Sequence, residues 1–262
     1  MKKYTLITGA STGIGYQMAL QLAARQHNLI LVARSADRLN QLQQELKSRY
    51  GIEVHCMVKD LSDINSAIGL YQDVCGKGWE VTALVNNAGV GTYGEFLGID
   101  LEKELKMITL NVSSLVVLTK LFARDMIARG SGRIMNVASL LSYFPLPNYS
   151  VYSATKAFVL SFSETLAAEL ESKGVVVTAL CPGPVDTPFT TDDMLRTNAY
   201  KTNKPISPEI VAREGVKLLL SGKGTKIVGL NNWFIANLPR FTPAFILTKI
   251  KMALVSPQNN NL

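Results

Sequence analysis

Short apolar runs rich in β-branched residues recur along the chain, at residues 4–8, 28–33, 53–58, 82–86, 133–137, 175–181 and 226–228. Charge rarely interrupts them, which is the pattern of parallel strands covered on both faces. Longer segments with helical periodicity separate them, at 14–24, 36–50, 63–75, 101–129, 151–172 and 208–221. Strict alternation of strand and helix demands crossover connections, and it predicts an α/β fold with a doubly wound parallel sheet and helices on both faces. No linker-like stretch or internal repeat divides the chain, so residues 1–262 read as a single domain.

Two of the predicted helices are apolar on more than one side, 109–126 and 151–170. A helix at a protein surface should be polar outward. These two are therefore either central helices of a large domain or a subunit interface, and the interface reading predicts a homo-oligomer, a dimer or a tetramer.

Composition narrows the classes. A chain of 262 residues can bury a full core without disulfides or metals. Cys56, Cys75 and Cys181 form no C-x-x-C pair, and His27 and His55 have no metal-ligand neighbours in sequence, so no metal site is expected. Two lysines open the chain, but no long apolar stretch follows them before Gly9, and a cytoplasmic protein is expected. The net charge of +7 is unevenly placed: residues 1–193 carry 17 Lys/Arg against 18 Asp/Glu, while residues 194–262 carry 10 against 2. That basic quarter is a solvated face, an attractor of anionic substrate, or a contact with an anionic membrane surface. Nothing in the charge pattern points to nucleic acid.

Candidate chemistry begins where the first strand gives way to the first helix, at Thr8-Gly9-Ala10-Ser11-Thr12-Gly13-Ile14-Gly15. Glycine permits the tight turn and close approach of backbone to a pyrophosphate, and the helix N-terminus offers free N–H groups to phosphate oxygens. Between a strand and a helix, this Gly-x-x-x-Gly-x-Gly spacing predicts a Rossmann-type dinucleotide-binding domain. Dinucleotide sites that take NAD carry an acid about 20 residues further on, to hold the ribose 2′-hydroxyl. Here the second strand ends Leu31-Val32-Ala33-Arg34. The missing acid, with Arg34 in its place and Arg38 one turn later, predicts NADP(H). An ordinary loop arginine and an NAD(H) cofactor is the competing reading.

Tyr152 and Lys156 stand four residues apart in a predicted helix and share a face. A free phenol titrates near pH 10, and a neighbouring ammonium would lower that value. The pair is a candidate proton donor and acceptor. Ser139 ends the fifth strand, on the rim where parallel sheets bind ligands. Asn86-Asn87-Ala88-Gly89 and Pro182-Gly183-Pro184-Val185-Asp186-Thr187 leave the fourth and sixth strands on the same rim. Singly, Ser139 reads equally well as a strand-end cap, and Asn111 as a satisfied polar residue within a helix.

Taken together, TGASTGIG, Asp60-Leu61, NNAG, Asn111, Ser139, YSATK at 152–156 and PGPVDT resemble the short-chain dehydrogenase/reductase family, in order and over most of the chain. The resemblance implies an oxidoreductase that interconverts a carbonyl and an alcohol by hydride transfer, with Asn111, Ser139, Tyr152 and Lys156 as the catalytic set. Tyr152 would be the acid or base, and Ser139 would hold the substrate oxygen. Lys156 would bind the nicotinamide ribose and lower the Tyr152 pKa. Asn111 would fix helix geometry and a proton-relaying water. NADP(H) would be held by Gly9, Ser11, Thr12, Gly13, Ile14, Gly15 and Arg34, and by Asp60 and Leu61 at the adenine. Asn87, Ala88 and Gly89 would line its centre; Pro182, Gly183, Val185 and Thr187 would surround the nicotinamide. A non-catalytic NADP(H)-binding regulator on the same fold is the alternative, and retention of Tyr152 and Lys156 counts against it.

The loop after Ser139, LLSYFPLPNYS, is apolar and suits an apolar ketone, aldehyde or 3-ketoacyl substrate. Residues 188–222 read as a substrate lid and helix region, with 188–204 a mobile polar lid. Residues 231–262 form an apolar, basic tail. Within it 231–255, interrupted by Pro239 and Pro243, predicts two short helices that pack on the domain or lie on an anionic bilayer surface. This stretch loosely resembles the tails of long-chain acyl and steroid ketone reductases in the family.

Overall fold

The computed structural model describes residues 2–256; the last six residues of the expected tail, 257–262, lie outside the described part. Seven strands form one sheet: β1 (Lys3–Thr8), β2 (Asn28–Ala33), β3 (Val54–Val58), β4 (Glu80–Asn86), β5 (Gly132–Val137), β6 (Val175–Cys181) and β7 (Gly224–Ile227). Their order is β3-β2-β1-β4-β5-β6-β7, and every neighbouring pair is parallel. Each predicted strand is present, with ends shifted by two residues at most.

Side-chain alternation along the strands divides the core into two layers. Ile7, Leu29, Leu31 and Val85 face α1 (Gly13–Ala23), α2 (Ala36–Tyr50) and a later helix at Pro208–Ser221. Leu6, Ile30, Val32 and Leu84 face the opposite layer, built on α3 (Ile64–Gly76) and a long helix that ends at Ala128. A fully buried Leu or Ile contributes about 1.5–3 kcal/mol, and the sheet carries such residues on both faces.

The helix expected over 101–129 is not regular. α4 (Leu101–Ile108) widens into a π-helical turn at Thr109–Ser114 before α5 (Leu115–Ala128). Such insertions accompany functional sites, and this one carries Asn111. Among the described residues, Leu101–Ala128 is the one helix long and apolar enough to cross a membrane. Its Leu118, Phe122, Ala123 and Met126 are spent on the sheet, as a central helix requires.

After α6 (Ser150–Leu170) and β6 come two short helices, α7 (Asp192–Leu195) and α8 (Asn198–Thr202), then α9 (Pro208–Ser221). The tail supplies the two expected helices, α10 (Leu230–Asn237) and α11 (Ala244–Val255). A buried polar row stitches the middle of the sheet to its helices. Asn86 Nδ2 donates to Asn136 Oδ1 and to Thr119 Oγ1, both at 2.9 Å, and Asn136 Nδ2 donates to Ser163 Oγ at 2.9 Å. These bonds fix α5 and α6 against the carboxyl ends of β4 and β5. Strand order reverses between β1 and β4, and the ligand crevice of an open parallel sheet lies at such a reversal.

Candidate active site

A cavity of about 850 Å³ opens along that reversal. Its wall brings together Gly9, Ser11, Thr12, Gly13 and Ile14 from the first turn, Arg34 after β2, and Asp60 and Leu61 after β3. It continues through Asn87, Ala88 and Gly89, then Ser139, Tyr152 and Lys156, to Pro182, Gly183, Val185 and Thr187. Of the residues expected at the site, Gly15 and Asn111 alone stand behind the wall, where they shape it.

The glycine turn is built as its sequence requires. Gly9 and Gly13 adopt φ of +66° and +57°, a region that disfavours side chains. A methyl group on Gly15 would overlap Gly9 O and sit 2.5 Å from Asn87 Nδ2. Asn87 is the clamp of this turn: its Nδ2 donates to Thr8 O at 2.9 Å and to Gly9 O at 3.1 Å. Thr8 Oγ1 accepts from the N–H groups of Asn87 and Ala88, each at 3.0 Å. The NNAG segment therefore braces the turn as well as lining the cavity. These glycines leave a backbone-walled cradle, opening onto the N-terminus of α1, whose shape and free N–H groups fit a pyrophosphate.

At the β2 end, Arg34 and Arg38 are exposed side chains beside Ser35 and Lys59 on the cavity rim. Burial works to raise the Asp60 carboxyl, but hydrogen bonds from the Ser62 backbone and hydroxyl, with the charge of Arg34, hold it below its ordinary value.

The catalytic candidates converge from β5 and α6. Tyr152 is buried, 8% exposed, and burial pushes its phenol well above the ordinary value; the polar contact with Ser139 pulls weakly the other way. Lys156 is buried too, and burial draws its ammonium down to about 8. Its Nζ donates to Val137 O at 2.8 Å and lies 5.9 Å from the centre of the Tyr152 ring. Burial of the phenol therefore opposes the lowering of the Tyr152 pKa expected from Lys156. Desolvation is the largest influence on the phenol, and the Lys156 ammonium is turned to a strand carbonyl. The phenol holds its proton at neutral pH.

Ser139 combines both readings offered for it. Its Oγ accepts from Leu141 N at 3.1 Å, capping a short turn at Leu140–Ser142, and it remains on the cavity wall beside Tyr152. Asn111, in the π-helical turn, donates from Nδ2 to Val90 O at 2.9 Å and to Thr155 Oγ1 at 3.1 Å, and accepts at Oδ1 from Val90 N at 3.1 Å. It ties the π-helical turn to α6 directly behind Gly89.

The far half of the cavity is apolar, and much of it comes from segments without motifs. Leu141, Phe144, Leu146 and Tyr149 enter from the loop after Ser139. Phe189 and Tyr200 enter from the lid, and Ile235, Leu238, Ile250 and Leu254 from the tail. The lid is less polar than expected: Met194 is fully buried and the Phe189 ring sits 5.5 Å from that of Tyr152. Gly91 lets the Phe189 ring come close, since a Cβ there would lie 2.6 Å from the ring tip. Asn232 is a further residue that pattern reasoning missed. Its Nδ2 donates to Val228 O at 2.6 Å, its Oδ1 accepts from the lid residue Asn203 at 2.7 Å, and Gly183 lies flat against it. One asparagine in a tail rich in them carries no signal of that role.

Comparison with known proteins agrees with this geometry. Residues 3–197 match the short chain dehydrogenase family. The chain is 34% identical over 261 residues to a very-long-chain 3-oxoacyl-CoA reductase of Macaca fascicularis, covering 95% of this chain and 78% of that protein. It is 33% identical over 228 residues to a ketoacyl reductase of Nostoc sp., covering 86% and 78%. Among solved structures, a short-chain dehydrogenase from Sphingobium yanoikuyae in complex with NADPH superposes with a TM-score of 0.80 at 28% identity, covering 92% of this chain and 93% of that one. The chain belongs to the short-chain dehydrogenase family and is an oxidoreductase.

Proposed function

We propose that the protein is an NADP(H)-dependent reductase of apolar carbonyl compounds, with 3-ketoacyl thioesters as the leading substrate class. The observation that carries this reading is one continuous cavity. It joins a glycine cradle and a cationic rim at one end to a buried phenol and an apolar chamber at the other. The names of the two relatives favour the 3-ketoacyl class, and the NADPH complex of the structural neighbour favours the cofactor.

When bound, NADPH supplies the hydride that reduces the carbonyl carbon. Residues of the glycine turn would hold its pyrophosphate, Arg34 with Arg38 its 2′-phosphate, and Asp60 with Leu61 its adenine. Ala88 and Gly89 would line its centre, and Pro182, Gly183, Val185 and Thr187 its nicotinamide. The phenol of Tyr152, kept protonated by burial, donates its proton to the carbonyl oxygen, and Ser139 steadies that oxygen with a hydrogen bond. Lys156 stands ready to exchange its bond with Val137 O for ribose hydroxyls, while Asn111 holds the π-helical turn against α6. The apolar walls exclude water from the proton transfer.

We also place the enzyme in a reducing cytoplasmic compartment, consistent with three free thiols at Cys56, Cys75 and Cys181, with segment 231–255 in contact with an anionic membrane surface. Exposed Leu97, Leu101 and Leu105 before and along α4, and Phe158 on α6, support a homo-oligomer. An NADPH-oxidation screen over aliphatic, aromatic, steroid and 3-ketoacyl carbonyls tests the reading. Turnover should rise with chain length in the 3-ketoacyl series and favour NADPH over NADH; failure of every carbonyl overturns it.

A further inference from the structure

The two tail helices are apolar on two sides. Inward, Ile235, Leu238, Ile250 and Leu254 form part of the chamber wall. Outward, Trp233, Phe234, Phe241, Phe245 and Met252 are between 51% and 86% exposed. A helix that only packs on its domain turns one stripe inward and a polar face to water, and large apolar side chains clustered at a surface mark an interaction site. The charge of the same stretch identifies the partner. From Gly222 onward the chain carries Lys223, Lys226, Arg240, Lys249 and Lys251 and no acidic residue. Lys223 and Lys226 are paired with Glu171 and Glu214, whereas Arg240 and Lys249, interleaved with the aromatic residues along the sequence, have no acidic partner among the described residues. Aromatic and aliphatic side chains interleaved with unpaired cations suit the interface of an anionic bilayer.

The attachment of α11 gives this surface a further role. Its hydrogen bonds to the rest of the domain gather at its carboxyl end. Tyr93 Oη donates to Val255 O at 3.2 Å, Asn198 Nδ2 to Ala253 O at 3.1 Å, and Asn198 N to Ser256 O at 3.2 Å. Val255 is the one buried residue of the helix. In the amino half, from Ala244 to Ile250, Leu247 and Ile250 are the apolar residues packed on the buried cluster under the chamber, and Ile250 lines the cavity; Pro243 and Pro239 precede it.

We infer that α10 and α11 dock on an anionic lipid bilayer, and that α11, pivoting at its carboxyl end, is the door through which an apolar substrate passes from the bilayer into the catalytic chamber. This rests on the proposed reduction of apolar carbonyls. Lipid contact with Phe241 and Phe245 favours the swung-out position, and the chamber then opens toward the acyl-chain region instead of toward water.

The test uses the full chain with phosphatidylglycerol-containing vesicles and with pure phosphatidylcholine vesicles, at low and high salt. Cosedimentation and turnover are measured on a long-chain 3-oxoacyl thioester and on a short water-soluble ketone. The chain should sediment with the anionic vesicles and be released by salt. Those vesicles should raise turnover of the long-chain substrate about tenfold, the size of effect a modest population shift produces, and leave the short ketone unchanged. The double variant Phe241→Ser/Phe245→Ser should lose sedimentation and stimulation together while keeping its Tm and its short-ketone turnover. Absence of anionic-vesicle binding overturns the inference, as does binding without stimulation. A patch-dependent self-association that the double variant abolishes, with no lipid binding, assigns the surface to a second copy and overturns it as well. Turnover of the short ketone without lipid stimulation sinks the door alone, whereas no turnover of either substrate sinks the reductase reading with it.

Discussion

The two ends of the cavity are held together in different ways. At the cofactor end, backbone does most of the work. Two glycines with positive φ, a third with no room for a methyl group, and the Asn87 and Thr8 side chains bonded to main chain define the cradle. At the substrate end, the wall is side-chain packing contributed by three separate segments, with Asn232 and Asn198 as its main polar ties. Backbone-defined sites tolerate little variation, because each position has one workable residue. Packed apolar walls tolerate many residues of similar volume. The first end is therefore suited to a constant ligand, and the second to a substrate that differs among relatives.

Perturbing each end should separate the two. Among substitutions that separate the two ends, the largest effect on binding is expected from Gly15→Ala. Overpacking against Gly9 O and Asn87 costs about 1–3 kcal/mol, so NADPH binding should weaken by roughly 5–150-fold, measured by fluorescence titration with Tm recorded alongside. An unchanged Kd would show that the turn is more compliant than its contacts imply. Next comes a pH limb set by Lys156, whose ammonium is lowered to about 8 by burial. Below that pH the group is charged and available to ribose hydroxyls; above it the charge is lost, while the Tyr152 phenol stays protonated. Measured as kcat/KM for NADPH, which reports the free enzyme, the profile should be level up to about pH 8 and fall about tenfold per pH unit beyond. A profile still level at pH 10 contradicts the assignment.

Arg34→Ala should raise KM for NADPH about tenfold, the value of one charge-assisted hydrogen bond at an exposed site, and leave KM for NADH unchanged. Equal effects on both cofactors would move Arg34 away from the 2′-phosphate. The smallest effect belongs to the substrate end. Asn232→Ala removes the tie to Asn203 and Val228, and about threefold in carbonyl KM with constant kcat is expected, within the range of one net hydrogen bond. A comparable loss in kcat would mean that lid placement reaches the reacting atoms.

The same contrast explains what could be read from the chain alone. Strands announced themselves because a sheet covered on both faces needs uninterrupted apolar runs, and all seven were found. The cradle was legible because its glycines answer a local backbone demand, and Asn87–Gly89, Ser139 and 182–187 because they follow strands on one rim. Interruption of the helix at Asn111 was not legible: a π-helical turn depends on what the neighbouring helix and Val90 offer, and periodicity over 101–129 is unaffected by it. Nor could the direction of the Tyr152 shift be read, since Tyr-x-x-x-Lys spacing places the pair on one face but says nothing of burial. The tail showed its two helices, yet its inward residues Ile250 and Leu254 became cavity wall through tertiary contact alone.

The central claim is that a buried, protonated Tyr152 delivers the proton within a cavity whose cofactor end is complete without it. Paired measurement of NADPH affinity and single-turnover reduction in Tyr152→Phe tests this most directly, because the substitution removes one hydroxyl and leaves the ring contacts. The account predicts a Kd within about threefold of the native value and a rate lowered by about 10²–10⁴-fold. A reduction rate within tenfold of native would contradict it.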